Sequence, residues 1–382
     1  MAFTTRVRDS IGTYEDLHAS ASKVVGLDDF GDPIYEEGLR ILLEDYATTA
    51  GLTGEGNYLQ RTFLRGALVG RLLTVNALSR FPAFVDVPIE RPIFVTGLPR
   101  SGTTALHRLL CADPGTQGLE LWLTEFPHPR PPRDTWDDDP VFAVMQKAFA
   151  AHHVESPEFM GIHYMDATTV EECWRLLRQT GKSNSYESLA NLPRYSSWLA
   201  GQDWTDAYAR HKQNLQLLGL NDQDKRWVLK NPSHMSGLDA LMTVYPDALI
   251  VYTHREPVTC IASSCSLSAE TTVGQSDTYV GGVIGHTQLD LWSRAFHNFH
   301  DNRGKYDQDQ FIDIAFGDLV KDQIGVTRRV YDQFGLDWTP EVEAAVTEID
   351  REAKEGKAAP KHSYDLKDYG LTEKQVLAAF DR

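Results

Sequence analysis

The residues best placed for chemistry lie at 96–104, Thr-Gly-Leu-Pro-Arg-Ser-Gly-Thr-Thr. Gly97 and Gly102 frame a short loop that carries Arg100, and Ser101, Thr103 and Thr104 place three hydroxyls at its far end. Backbone N–H groups of such a loop and the helix N-terminus behind it cradle an anion, and the hydroxyls can cap that helix or donate to phosphate oxygens. The glycine spacing matches a nucleotide-triphosphate loop, but Thr103 stands where that loop requires lysine. The cation sits inside the loop instead. This is a phosphate cradle with the wrong wiring for a magnesium-dependent ATPase or GTPase, and on this stretch alone a plain strand–turn–helix joint stays open.

Further polar groups follow two other apolar runs. Lys230 ends Trp227-Val-Leu and precedes Asn231-Pro-Ser-His234; Arg255 follows Ala248-Leu-Ile-Val-Tyr-Thr253, with Ser263 eight residues beyond it. Glu120 and Glu125 flank Trp122, where a carboxylate beside an aromatic ring can serve as a general base or stand as a solvated loop residue. Cys111, Cys173, Cys260 and Cys265 have no metal-ligand spacing.

The elements that must position these groups are legible as periodicities. Residues 93–96 read as a buried strand and 103–110 as a helix. Strands at 227–229, 248–253 and 311–315 alternate with helices, so the pattern predicts a parallel sheet with its ligand crevice at the carboxyl ends of the strands. The expected fold class is therefore α/β, a three-layer fold like that of the P-loop nucleoside triphosphate hydrolases. Residues 1–90 read as helices packed on the core and 91–382 as the α/β domain. Within it, 137–216 is expected as a mostly helical, aromatic-rich insertion on the substrate side, with helices at 140–152, 169–180 and 203–217. The Gly/Ser/Thr-rich stretch 268–286 reads as a mobile loop over the site. A last helix opens at Thr372 with Gln375 at its N3 position.

With 54 acidic residues against 37 lysines and arginines, the 382-residue chain carries a formal charge of -17 and no basic tail. Nucleic acid is excluded as an expected partner, and an anionic ligand must find a locally positive pocket. The N-terminus lacks a signal-peptide core, and the apolar stretch 63–83 is broken by Arg65, Arg71 and Arg80, so no span is expected. The expected location is cytoplasmic; peripheral membrane contact and a homo-oligomer stay open.

Together the three cation-bearing turns resemble those of the sulfotransferases that use 3′-phosphoadenosine 5′-phosphosulfate, in the bacterial branch whose loop reads Gly-x-Pro-Arg-Ser-Gly-Thr-Thr. The likeness spans residues 91–130 and 226–371. It implies that Pro99, Arg100, Ser101, Gly102, Thr103 and Thr104 hold the 5′-phosphosulfate, and that Arg255 and Ser263 hold the 3′-phosphate. Lys361, in the basic linker just before the segment 362–371 that is similar to the branch's C-terminus, joins the donor site. Arg100 and Lys230 are implied as the catalytic cations. Glu125, His234 and Glu120 are the candidate bases, since Pro232 occupies the place of a histidine in many animal members. The implied reaction is in-line transfer to a hydroxyl of a small apolar or lipid-like acceptor, with adenosine 3′,5′-bisphosphate as the other product and no metal. A P-loop kinase, which would bind ATP with magnesium, and a non-catalytic nucleotide-binding protein are the alternatives.

Overall fold

The computed structural model describes residues 6–155, 166–355 and 365–381. Five strands form one parallel sheet in the order β2-β3-β1-β4-β5: β1 is Ile93–Gly97, β2 Thr116–Gln117, β3 Arg226–Lys230, β4 Leu249–His254 and β5 Phe311–Ala315. Side chains of β1 alternate between the faces, as a period of two requires. Ile93 and Val95 join Leu106, Val228, Val251 and Val330 on one face, while Phe94 joins Leu229, Ile250 and Tyr245 on the other. All five residues of β1 are buried, which a parallel strand covered on both faces demands.

In register, Val95 pairs with Lys230 and Gly97 with Thr253. The chain therefore leaves β1, β3 and β4 at one edge, and the Gly97–Thr104 loop, the Lys230–His234 turn and Arg255 meet there. The close approach at Gly97 is steric: at φ 141°, a Cβ would stand 2.1 Å from the Thr253 carbonyl oxygen. Thr253 and Ser101 then join their hydroxyls across the gap at 2.7 Å.

Three N-terminal helices, α1 (Tyr14–Val25), α2 (Glu36–Thr48) and α3 (Gly54–Arg80), pack beside this core. α1 opens with a capping box at Thr13 and Asp16 and ends on Gly26 in the left-handed conformation. Among residues 169–180 only Trp174–Leu177 is α-helical, followed by a 3-10 turn at Arg178–Thr180. The segment before it runs extended instead, bridging Val170 to Glu120 and donating from the Cys173 amide to the Lys230 carbonyl at 3.0 Å. The helices Pro140–Glu155 and Thr205–Leu218 stand where periodicity placed them.

The stretch 268–286 is a fixed wall rather than a mobile loop. Helix Pro257–Thr271 continues into it, helix Gly282–Asn302 begins inside it, and the connection is tied to the N-terminal helices. Thr53 N donates to Gln275 O at 3.0 Å, Ser276 Oγ to Ala50 O at 2.6 Å, and Tyr279 is buried.

The first crossover also corrects the expected fold class. After β1 comes α4 (Thr103–Leu110), entered through Gly102 at φ 94° with no side chain capping it. Thr103 is buried where a triphosphate loop would carry its lysine, and Arg100, at φ 68°, turns its guanidinium away to Ser263. The sheet is α/β and parallel, but the class is not that of the P-loop nucleoside triphosphate hydrolases, as the solved relatives below establish.

Gly97→Ala tests this arrangement. The substitution should destabilise the protein by at least about 2 kcal/mol, read from the urea unfolding midpoint, because a Cβ there meets backbone.

Candidate active site

Three cations and two hydroxyls expected to act together do converge. Arg100 Nε donates to Ser263 Oγ at 3.2 Å, and Arg255 Nη1 donates to the Arg100 carbonyl at 3.0 Å. Lys230 Nζ donates to Thr104 Oγ1 at 3.2 Å and pairs with Glu172. Lys230 is 2% exposed, so an ammonium otherwise stripped of water is neutralised by that carboxylate. Ser101 spends its hydroxyl internally, on the Leu98 carbonyl at 2.5 Å and on Thr253. Pro99 is in the cavity wall. Lys361 lies outside the described residues.

Two hollows flank the loop. One, of about 480 Å³, is bordered by Leu98, Tyr252, His254, Arg255, Phe296 and Phe316; Arg255 lies 4.2 Å over the Phe316 ring. The other, of about 380 Å³, is lined by Arg100, Glu171, Glu172, Trp174, Leu267 and Trp292 among others. The first is edged by a guanidinium and an aromatic face; the second has mostly apolar walls with a charged end.

The three candidate bases are placed elsewhere. Glu120 is buried between Arg130 at 2.9 Å and Arg133 at 2.7 Å. Glu125 pairs with Arg178 at 2.7 Å and with Arg175. Burial works to raise its pKa, but Arg178 and Arg175 outweigh that and hold it below the ordinary carboxylate value. A carboxylate held by two guanidiniums has little basicity to offer. His234 is 1% exposed, edge-on to Phe94 at 5.0 Å, with Nδ1 2.7 Å from the Tyr208 hydroxyl. Burial, with His211 beside it, pushes its pKa well down, so the imidazole is neutral. Neither Glu120, Glu125 nor His234 lines the 380 Å³ cavity.

Glu172, absent from the candidates, both lines that cavity and touches Lys230. It gets there because the Cys173 amide is fastened to the end of β3, which swings the preceding side chain over the strand terminus. The sequence signal was a carboxylate pair, Glu171-Glu172, ahead of Trp174 at the edge of the aromatic insertion. Glu171 is committed to Arg175 at 3.0 Å. Among the described residues, no group of three His, Cys, Asp or Glu could hold a metal ion, and no helix is long and apolar enough to cross a membrane.

Residues 92–340 match the sulfotransferase family. The chain belongs to that family. Over the whole chain it is similar to the crystal structure of sulfotransferase STF1 from Mycobacterium tuberculosis, with TM-score 0.92 and 51% identity, covering 98% of this chain and 100% of that one. The structure of STF9 from Mycobacterium avium superposes with TM-score 0.88 at 26% identity, covering 98% and 96%. These likenesses make the fold the α/β sulfotransferase fold and overturn the nucleoside-triphosphate-hydrolase-like assignment. A curated relative, omega-hydroxy-beta-dihydromenaquinone-9 sulfotransferase Stf3 from Mycobacterium bovis, is 24% identical over 268 residues. The match spans 65% of this chain and 63% of that relative's length.

The Glu125 cluster has a pH signature. A carboxylate whose folded pKa lies below its unfolded one adds stability above the unfolded value and loses it as pH falls through the folded value. Glu125→Gln should therefore lower stability at neutral pH by about 2 kcal/mol and flatten the loss of stability below the ordinary carboxylate range, measured by urea unfolding across pH.

Proposed function

We propose that the protein transfers the sulfuryl group of 3′-phosphoadenosine 5′-phosphosulfate to a hydroxyl of a small apolar or lipid-like acceptor. The observation that carries this reading is that Arg100 and Glu172, the partner of Lys230, line one largely apolar cavity, beside a hollow edged by Arg255 and Phe316.

The residues suit the donor. The amides from Pro99 to Thr104 and the first turn of α4 offer N–H groups to a 5′-phosphate, since the opening amides of a helix have no intrahelical acceptor. Arg255 offers a planar fork to the 3′-phosphate, and the Phe316 ring beneath it a face for the purine. Ser263, now accepting from Arg100, can turn its hydroxyl to the same phosphate. Arg100 is then released toward the oxygen that bridges phosphorus and sulfur.

The division of labour follows from charge. Arg100 and Lys230 stabilise negative charge that grows on the leaving and equatorial oxygens, where a donor acts more strongly on the transition state than on the ground state. Glu172 exchanges Lys230 for the acceptor hydroxyl and takes its proton as oxygen attacks sulfur in line. Glu120 and Glu125 serve as anchors, since each holds two arginines. The walls of Trp174, Leu267 and Trp292 support an apolar acceptor. The Mycobacterium bovis relative, named for an omega-hydroxy compound, supports an alcohol.

Incubation with sulfur-labelled donor and a panel of alcohols, phenols and sugars, read by mass spectrometry, tests the reading. Labelled sulfate esters of apolar alcohols are expected. Turnover of ATP with magnesium, or donor binding without any ester, would contradict it.

Two variants separate the roles. Glu172→Gln should lower kcat by about 10²–10⁴-fold while adenosine 3′,5′-bisphosphate affinity changes little, measured by steady-state kinetics and calorimetry. Arg255→Ala should weaken that bisphosphate by about ten- to a hundredfold, as loss of a charge-assisted pair does.

A further inference from the structure

Two buried polar groups in the acceptor cavity have no hydrogen-bond partner among the described residues. Asn231 is 2% exposed and Ser264 is 4% exposed; both line the cavity, and Asn231 Nδ2 and Ser264 Oγ make no hydrogen bond to any other described residue. The orientation of Asn231 is settled by its own turn. Its Oδ1 accepts from the Ser233 amide at 3.1 Å, and an amide N–H can only donate, so the NH₂ group must point the other way. Its backbone is fixed too, with the amide on the Val95 carbonyl at 3.1 Å and the carbonyl accepting from Thr96 Oγ1 at 3.0 Å. Ser264 stands in helix Pro257–Thr271, where a serine ordinarily bonds back to the carbonyl four residues earlier. Here it does not.

A buried donor left unmade is costly, and native proteins keep such groups mainly where a ligand completes them. Asn231 lines the same cavity as Glu172 and Arg100. Ser264 directly follows Ser263 and enters from the neighbouring helix. Arg100, which also lines the cavity, lies against Ser263. A cavity of about 380 Å³ holds one compact molecule, so both groups meet the same ligand.

We infer that Asn231 and Ser264 read a second oxygen on the acceptor, close to the hydroxyl that is sulfated. The preferred acceptor is then an apolar alcohol bearing a neighbouring hydroxyl, carbonyl or ether oxygen, rather than a simple alkanol. The inference rests on the sulfotransferase reading and narrows its substrate class. The attacking hydroxyl goes to Glu172. The neighbouring oxygen accepts from Asn231 Nδ2 and exchanges a hydrogen bond with Ser264 Oγ, and the hydrocarbon lies against Trp174, Leu267 and Trp292.

The test uses the full chain saturated with adenosine 3′,5′-bisphosphate and three probes: octan-1-ol, octane-1,2-diol and octane-1,8-diol. Binding is followed by calorimetry and by tryptophan fluorescence, so no turnover is required. The 1,2-diol should bind roughly five- to tenfold more tightly than either other probe, the gain of one well-made neutral hydrogen bond or slightly more. Asn231→Ala removes the NH₂ donor together with the acceptor for the Ser233 amide, and Ser264→Ala removes only a hydroxyl. Each variant should erase most of the preference while bisphosphate affinity and octan-1-ol affinity stay within about twofold. Equal binding of the three probes, absence of binding by all three, or a preference that survives both variants overturns the inference and leaves the sulfotransferase reading intact. Failure of the bisphosphate itself to bind overturns both.

Discussion

The ammonium of Lys230 sets the terms for the rest of the site. It sits at the end of a central strand with almost no access to water, and an unpaired charge there would cost several kilocalories per mole. Glu172 supplies the counter-charge from a different part of the chain, and the Cys173 amide bonded to the Lys230 carbonyl holds the two segments together. The pair makes the site neutral at that point in an acidic protein. In the proposed reaction an anionic donor takes over Lys230 and leaves the carboxylate beside the cavity, so one ion pair would link donor binding to the availability of the base.

The fold serves to bring three turns to this pair. Parallel pairing of β1 with both β3 and β4 puts their carboxyl ends at one edge, and Gly97 allows β1 and β4 to come as close as the Thr253 carbonyl permits. Around that edge, the acceptor side is built of fixed parts. The 272–281 connection is tied to the N-terminal helices, Arg175 and Arg178 of the insertion are locked on Glu125, and Arg130 and Arg133 before it on Glu120. Each of these carboxylates holds two guanidiniums in place. Their value is positional.

Much of the framework was legible in the chain. The strands read at 93–96, 227–229 and 248–253, the glycine loop and the capping box at Thr372 and Gln375 all rest on local signals: β-branched runs, glycine spacing and a cap three residues from its partner. The site was legible only in part. Glu120 and Glu125 attract attention because they flank a tryptophan, yet what decides their chemistry is Arg130, Arg133, Arg175 and Arg178, brought by folding. Glu172 carried no periodic signal, and its partner lies 58 residues away. The fold class was read too broadly for a related reason: Gly97-x4-Gly102 is shared spacing, whereas the direction taken by Arg100 and the whole-chain likeness to sulfotransferases are not visible in a spacing. Residues 268–286, rich in Gly, Ser and Thr, suggested motion because their stabilising bonds run to helices more than two hundred residues earlier.

The central claim is that this edge is built for a nucleotide carrying both a 5′- and a 3′-phosphate. Calorimetric titration of one protein preparation with adenosine 3′,5′-bisphosphate, adenosine 5′-monophosphate and ATP with magnesium addresses it directly. The account predicts that the bisphosphate binds most tightly and that removing the 3′-phosphate costs at least about tenfold in affinity. Equal affinity for the mono- and bisphosphate, or tighter binding of ATP with magnesium, would contradict it.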